Sequence, residues 1–150
     1  MGESPAQPKF QPLKILWMAF VGAVGVYAIL AYVLRLQTDS PHVFEDLTFM
    51  APILGGTAAA LTLFAFSGGR ILVKMEYQAY CIVRWTMIES VGIFGLIMAL
   101  LGAAATHSIV LFGWAVLSLF RLRPTPEDYQ QFVAEWNKQQ EQTTPRRQAA

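Results

Sequence analysis

The chain has 150 residues, 55% of them hydrophobic and only 14% charged, with eleven Lys and Arg against ten Asp and Glu for a net charge of +1. A soluble domain carries roughly 25% charged residues and a nucleic-acid-binding chain needs a basic surplus, so both are excluded, as is a disordered chain. The single cysteine, Cys81, excludes a disulfide framework and a cysteine-based metal site. A membrane-crossing helix takes about 20 apolar residues, so four crossings use about 80 positions, close to the whole hydrophobic fraction.

The first span is Ile15 to Leu34, an uncharged run bracketed by Lys14 and Arg35, with Trp17, Tyr27 and Tyr32 toward its ends as amphipathic aromatics at lipid headgroups tend to be. Its length, and the lack of an A-x-A-type cleavage site after it, read as a retained signal anchor. The second span is Met50 to Ser67, with Pro52 suited to a first helical turn and Gly68-Gly69 as a stop before Arg70. The third, residues 79–105, contains Glu89, and its helix has no breaker back to Ile71. The fourth, residues 106–120, follows a tight turn whose polar content is Thr106, His107 and Ser108, and it ends at Arg121-Leu122-Arg123. The expected fold is therefore an all-α bundle of four transmembrane helices.

Basic residues collect at the N-terminus (Lys9, Lys14), in the second connection (Arg70, Lys74, Arg84) and after the fourth span (Arg121, Arg123, Lys138, Arg146, Arg147). The first connection sets Arg35 against Asp39, Glu45 and Asp46, and the third has no basic residue. By the positive-inside rule both termini are cytoplasmic, as an even number of spans also requires. This describes a multi-pass protein of the cell inner membrane.

The polar tail opens with Thr125-Pro126-Glu127-Asp128, which reads as an N-cap, a proline at the first helical position and two acids at the positive end of the dipole. A helix over 126–138 follows, with Tyr129, Phe132, Val133 and Trp136 on one apolar face. That face suits a protein partner, the membrane surface or the chain's own bundle; Glu127, Asp128 and Glu135 disfavour anionic lipid. Beyond Gln139 the tail has no apolar periodicity and reads as disordered.

A charge inside a span costs about 2.5 kcal/mol upward at the centre, so Glu89 needs a reason. Gly92, Gly95, Ala99 and Gly102 follow it on one helical face. Small residues permit close helix contact, so this face, with Gly22 and Gly25 of the first span, is expected at helix interfaces. A desolvated carboxyl there favours its neutral form and is able to load and release a proton. It serves equally as a hydrogen-bonding pin to Thr57, Thr62 or Ser90. Pairing with Arg84 is poor, since five residues along a helix leave the two about 140° out of phase; Arg84 is expected to snorkel to headgroups.

The segment Glu89-Ser90-Val91-Gly92-Ile93-Phe94-Gly95-Leu96-Ile97-Met98-Ala99-Leu100 resembles the second helix of the proteolipid c subunit of rotary ATP synthases, where an ion-carrying carboxylate is followed by a similar Ile-aromatic-Gly-Leu pattern. The resemblance covers about twelve residues. It implies a helical hairpin of spans two and three with residues 70–78 as a polar cytoplasmic loop, and Glu89 with Ser90 as ion-binding residues. Of the oxygens that sodium-specific members add, only Ser90 has a counterpart, so the implied ion is a proton. The family's glycine run on the first helix and its Arg-Gln-Pro loop are absent here, and four-span relatives carry their glutamate on the fourth span.

No phosphate loop, nucleophile elbow, HExxH motif or paired-carboxylate arrangement occurs, and the chain is expected to be no enzyme and to need no cofactor. His42 and His107 read as solvated loop residues; a haem held by both, or a metal at Asp39, His42, Glu45 and Asp46, is the lesser reading. Two functions follow: a structural or accessory subunit of an energy-transducing or transport complex, with other membrane subunits or copies of itself as partners, or a proteolipid-like proton translocator using Glu89.

Overall fold

The computed structural model describes residues 10–37, 49–67, 76–102 and 104–143, with side chains to Lys138. Among these it is all helical, in the order α1 Phe10–Gln37, α2 Met50–Ser67, α3 Tyr77–Leu100, α4 Ala105–Arg121 and α5 Pro126–Thr143. Pro12 and Pro52 fall in the first turns of α1 and α2, where a missing backbone donor costs nothing. Helices α1, α2 and α3 are each long and apolar enough to cross a membrane. Helix α4 has 17 residues, or about 25 Å at 1.5 Å per residue, slightly short of a 30 Å hydrocarbon core. It makes a fourth candidate only in combination with α5, from which it is bent by 76°.

Helix α3 is the centre of the bundle. It packs against α1, α2 and α4, while α1 and α2 do not form a packed pair. Of its most apolar window 44% is buried within the chain, against 17% for α1 and for α2. The side chains that face outward from the other helices are large and apolar, among them Ile15, Ile29, Leu63 and Leu117, the composition that hydrocarbon demands.

Contacts fix the directions. Phe20 meets Trp85 and Val24 meets Gly92, so α1 and α3 run parallel. Phe112 lies on Gly95 while Leu122 lies by Trp85, so α4 runs the other way. One end of the bundle therefore gathers the starts of α1 and α3, the ends of α2 and α4, and α5. There the indole of Trp17 donates to the Leu119 carbonyl at 2.8 Å and that of Trp85 to the Leu122 carbonyl at 2.9 Å. The backbone itself satisfies Ser118 and Phe120 through the amides of Leu122 and Arg123. Two tryptophans thus take up carbonyls that a helix C-terminus leaves without internal partners.

Helix α3 stops at Leu100 and not at residue 105, because Gly102 adopts a φ of 73°, a left-handed conformation that ends helices and that glycine enters without a Cβ penalty. Gly102 is therefore part of the turn into α4 and does not extend the small-residue face of α3. The helix after Pro124 starts as its sequence demands: the Thr125 hydroxyl accepts from the Asp128 amide at 3.2 Å and Pro126 is the first helical residue. It extends to Thr143 rather than to residue 138. Residues 1–9, 38–48, 68–75, 103 and 144–150 lie outside the described residues. So do the expectations for His42, Asp39, Glu45, Asp46 and the disordered end.

Candidate functional site

Glu89 is the thirteenth of the 24 residues of α3, halfway along the helix. Its side chain is half-buried, and its Oε1 accepts a hydrogen bond from the Tyr27 hydroxyl of α1 at 2.8 Å. Parallel packing of α1 on α3 brings the two together, helped by Gly92: a Cβ there would lie 3.1 Å from Val24 and 3.6 Å from the Tyr27 ring. The absent side chain is what lets α1 come close enough for its phenol to reach the carboxyl. The other partners considered for Glu89 are engaged on their own helices. Thr57 donates to Ile53 O, Thr62 to Ala58 O and Ser90 to Thr86 O, each four residues back. These bonds are local ones that hydroxyls commonly make inside apolar helices.

The other small residues divide into two groups. Gly95 accommodates the Phe112 ring, with a built Cβ 3.0–3.2 Å from three ring carbons, and Ala99 is buried. A Cβ built on Gly22 or Gly25 meets nothing within 4 Å, so no close contact among the described residues needs them.

A second polar cluster lies about one and a half turns back along α3. Arg84 does not reach for headgroups; only 8% of it is exposed. Its Nε donates to the Ala65 carbonyl at 2.6 Å and its Nη1 to the Tyr80 hydroxyl at 2.7 Å, with the guanidinium 4.8 Å from the Tyr80 ring centroid. Nη1 is also 3.6 Å from Asp128 Oδ1, and the Tyr77 hydroxyl donates to Asp128 Oδ2 at 3.0 Å. Ala65 is in the last turn of α2 and Asp128 in the first turn of α5. The cation therefore satisfies a carbonyl at the negative end of one dipole, and the carboxylate lies at the positive end of another. One arginine on α3 ties α2 and α5 to the same point.

The apolar face of α5 closes over this cluster. Phe132 is 3% exposed, with its ring 5.3 Å from Tyr77 and 5.1 Å from Tyr80. Tyr129 packs edge-on against Tyr77 and Phe10, and half-buried Trp136 stacks beyond Phe132. Burying a phenylalanine contributes about 1.5–3 kcal/mol, so the rings hold α5 as firmly as the ion pair does. Tyr129, Phe132 and Trp136 are thus turned toward the chain's own bundle. Arg84 and its own helix do not by themselves reveal this cluster, whose other members lie on α2 and α5. The signal in the sequence is a second charged residue in the same span, together with an acid at the N-terminus of an amphipathic helix.

Among the described residues no group of three or more His, Cys, Asp or Glu side chains is placed to hold a metal. His107 is exposed in the first turn of α4, and Cys81 is buried. Comparison with known protein families, with curated proteins and with solved structures finds no match to this chain.

Proposed function

We propose that the chain is a multi-pass membrane protein that serves as a structural or accessory subunit of a larger energy-transducing or transport assembly. In this reading four helices cross the inner membrane. The bundle end that carries Lys14, Arg121, Arg123 and α5 is cytoplasmic, following the positive-inside rule. The observation that carries the reading is how the interior polar groups are used: Glu89 with Tyr27, Arg84 with Ala65, Tyr80 and Asp128, and the Trp17 and Trp85 indoles each join one helix to another. Groups committed to interhelical bonds support a scaffold role, and in hydrocarbon such bonds are what hold a bundle to one geometry.

A second reading, proton translocation through Glu89, has one observation in its favour: a carboxyl halfway along a membrane helix whose described partner is a neutral hydroxyl, so that a proton is able to come and go without breaking an ion pair. Two measurements separate the readings. Purification from native membranes in mild detergent yields defined unlike subunits if the chain is an accessory subunit, and Glu89→Gln leaves that assembly intact. A chain that purifies alone, and that in liposomes conducts protons in a manner abolished by Glu89→Gln and by carbodiimide, overturns the accessory reading.

A further inference from the structure

The start of α1 and the end of α4 each carry a cation at the same end of the bundle. Lys14 is the last charge before the uncharged run to Leu34, and Arg123 follows just after α4. Both are exposed, and among the described residues neither has a carboxylate partner. Trp17 joins them. It stands one turn beyond Lys14 on the same side of α1, and the Arg123 guanidinium carbon lies 5.9 Å from its ring centroid. The ring itself is fixed: its N–H is bonded to the Leu119 carbonyl, and the Phe120 ring packs edge-on against it at 5.4 Å. An indole held in this way attracts a guanidinium to its face, so Arg123 has a seat beside the helix that carries Lys14.

Toward the middle of the bundle the surface beside these cations turns apolar at once. Met18, one turn on from Lys14, is 64% exposed, and Phe120 is 54% exposed. Cations at the edge of an apolar surface match an amphiphile with a negative head; a free anion would use only the charged part. Basic positions between helices at a bilayer surface attract anionic headgroups. The acids in the first turn of α5 do not oppose this, since Asp128 is engaged by Arg84 and Tyr77, and Glu127 forms no ion pair with Arg123. Arg121 is a third exposed cation at this end. It stands about 100° around α4 from Phe120, and the α4 ring that meets Trp17 is that of Phe120.

We infer that Lys14, Trp17 and Arg123 form a binding site for the phosphate of an anionic phospholipid, whose acyl chains lie along Met18 and Phe120. The inference rests on the reading of the chain as a membrane-spanning bundle and on neither function proposed for it. The test is native mass spectrometry of the full chain in mild detergent, with phosphatidylglycerol and phosphatidylcholine of the same acyl chains. Wild type is expected to retain one phosphatidylglycerol in preference to phosphatidylcholine. Lys14→Gln is expected to lower that retention about fivefold, and Lys14→Gln with Arg123→Gln about thirtyfold, while Arg121→Gln changes it less than about twofold. A wild-type melting profile certifies each variant, and Lys14→Gln, which breaks no hydrogen bond or ion pair among the described residues, suffices if the double variant fails to fold. Equal retention of the two lipids, no loss from Lys14→Gln, or an equal loss from Arg121→Gln overturns the inference. So does displacement of the lipid by inorganic phosphate, which marks a site for a free anion. A chain that stays dispersed in water without detergent or lipid defeats the membrane reading as well.

Discussion

Asp128→Asn isolates the electrostatic part of α5 docking, because the amide keeps the shape of the side chain and the backbone bond from its N–H to Thr125. The charges of Arg84 and Asp128 are separated by 3.6 Å, with side chains 10% and 31% exposed. At an effective dielectric of 20 that separation corresponds to about 4.6 kcal/mol. Near-third exposure of the carboxylate screens it, and the desolvation cost of the arginine offsets more. About 1.5 kcal/mol is what remains, including the weaker bond from Tyr77 to a neutral acceptor. Native-state hydrogen exchange in detergent or nanodiscs reads this directly: amides of α5 are expected to open about tenfold more readily, while those of α1 and α3 keep their protection. An Arg84→Met, Asp128→Asn double-mutant cycle is expected to return a coupling of about 1 kcal/mol. Unchanged α5 exchange in Asp128→Asn, or zero coupling, would falsify the assignment of the pair to docking and leave the ring contacts of Phe132 as the whole attachment.

Four further outcomes follow from single positions. Tyr27→Phe removes the hydroxyl that joins α1 to Glu89 and is expected to weaken the bundle by about 0.6–1.7 kcal/mol in detergent melts; a loss above 3 kcal/mol, or none, contradicts the pin. Gly95→Ala pushes a methyl within 3.0–3.2 Å of the Phe112 ring and is expected to lower the melting temperature through about 1–3 kcal/mol of overpacking. Gly22→Ala, with nothing within 4 Å of the new methyl among the described residues, is expected to hold or raise it by up to about 1 kcal/mol of helix propensity; the reverse order refutes the packing described. Trp85→Phe keeps most of the ring volume but strands the Leu122 carbonyl, with an expected cost of about 1–3 kcal/mol and faster exchange at the α4–α5 bend; an unchanged bend shows that the indole bond is dispensable.

What the sequence reveals depends on whether a signal is local. The start of α5 is readable because Thr125, Pro126 and Asp128 act on one another within four residues. The polarity of Glu89 is readable because composition makes a mid-span acid costly, and so is its small-residue face at Gly92 and Gly95. The partner of Glu89 is not, since Tyr27 lies 62 residues away and reads by itself as an interfacial aromatic. Arg84 defeats local reasoning for the same reason: its three partners lie on its own helix, on α2 and on α5, and only the three-dimensional meeting of two helix ends makes burying it tolerable. Gly22 and Gly25 carry the same local signal as Gly92 and Gly95, yet among the described residues no atom comes within 4 Å of a Cβ built on either. Small residues permit contact without specifying where it occurs.

The arginine junction also has a history in time. A ribosome makes Arg84 44 residues before it makes Asp128 (128 minus 84). In that interval the guanidinium has the Ala65 carbonyl and the Tyr80 hydroxyl but not the Asp128 carboxylate, and the rings of Tyr77 and Tyr80 lack the cover of Phe132. The presence of α5 is thus registered at one point of the bundle: a chain cut short before it leaves Arg84 without the Asp128 carboxylate and Tyr77 and Tyr80 without the Phe132 ring. Docking of α5 supplies the carboxylate and the aromatic cover together.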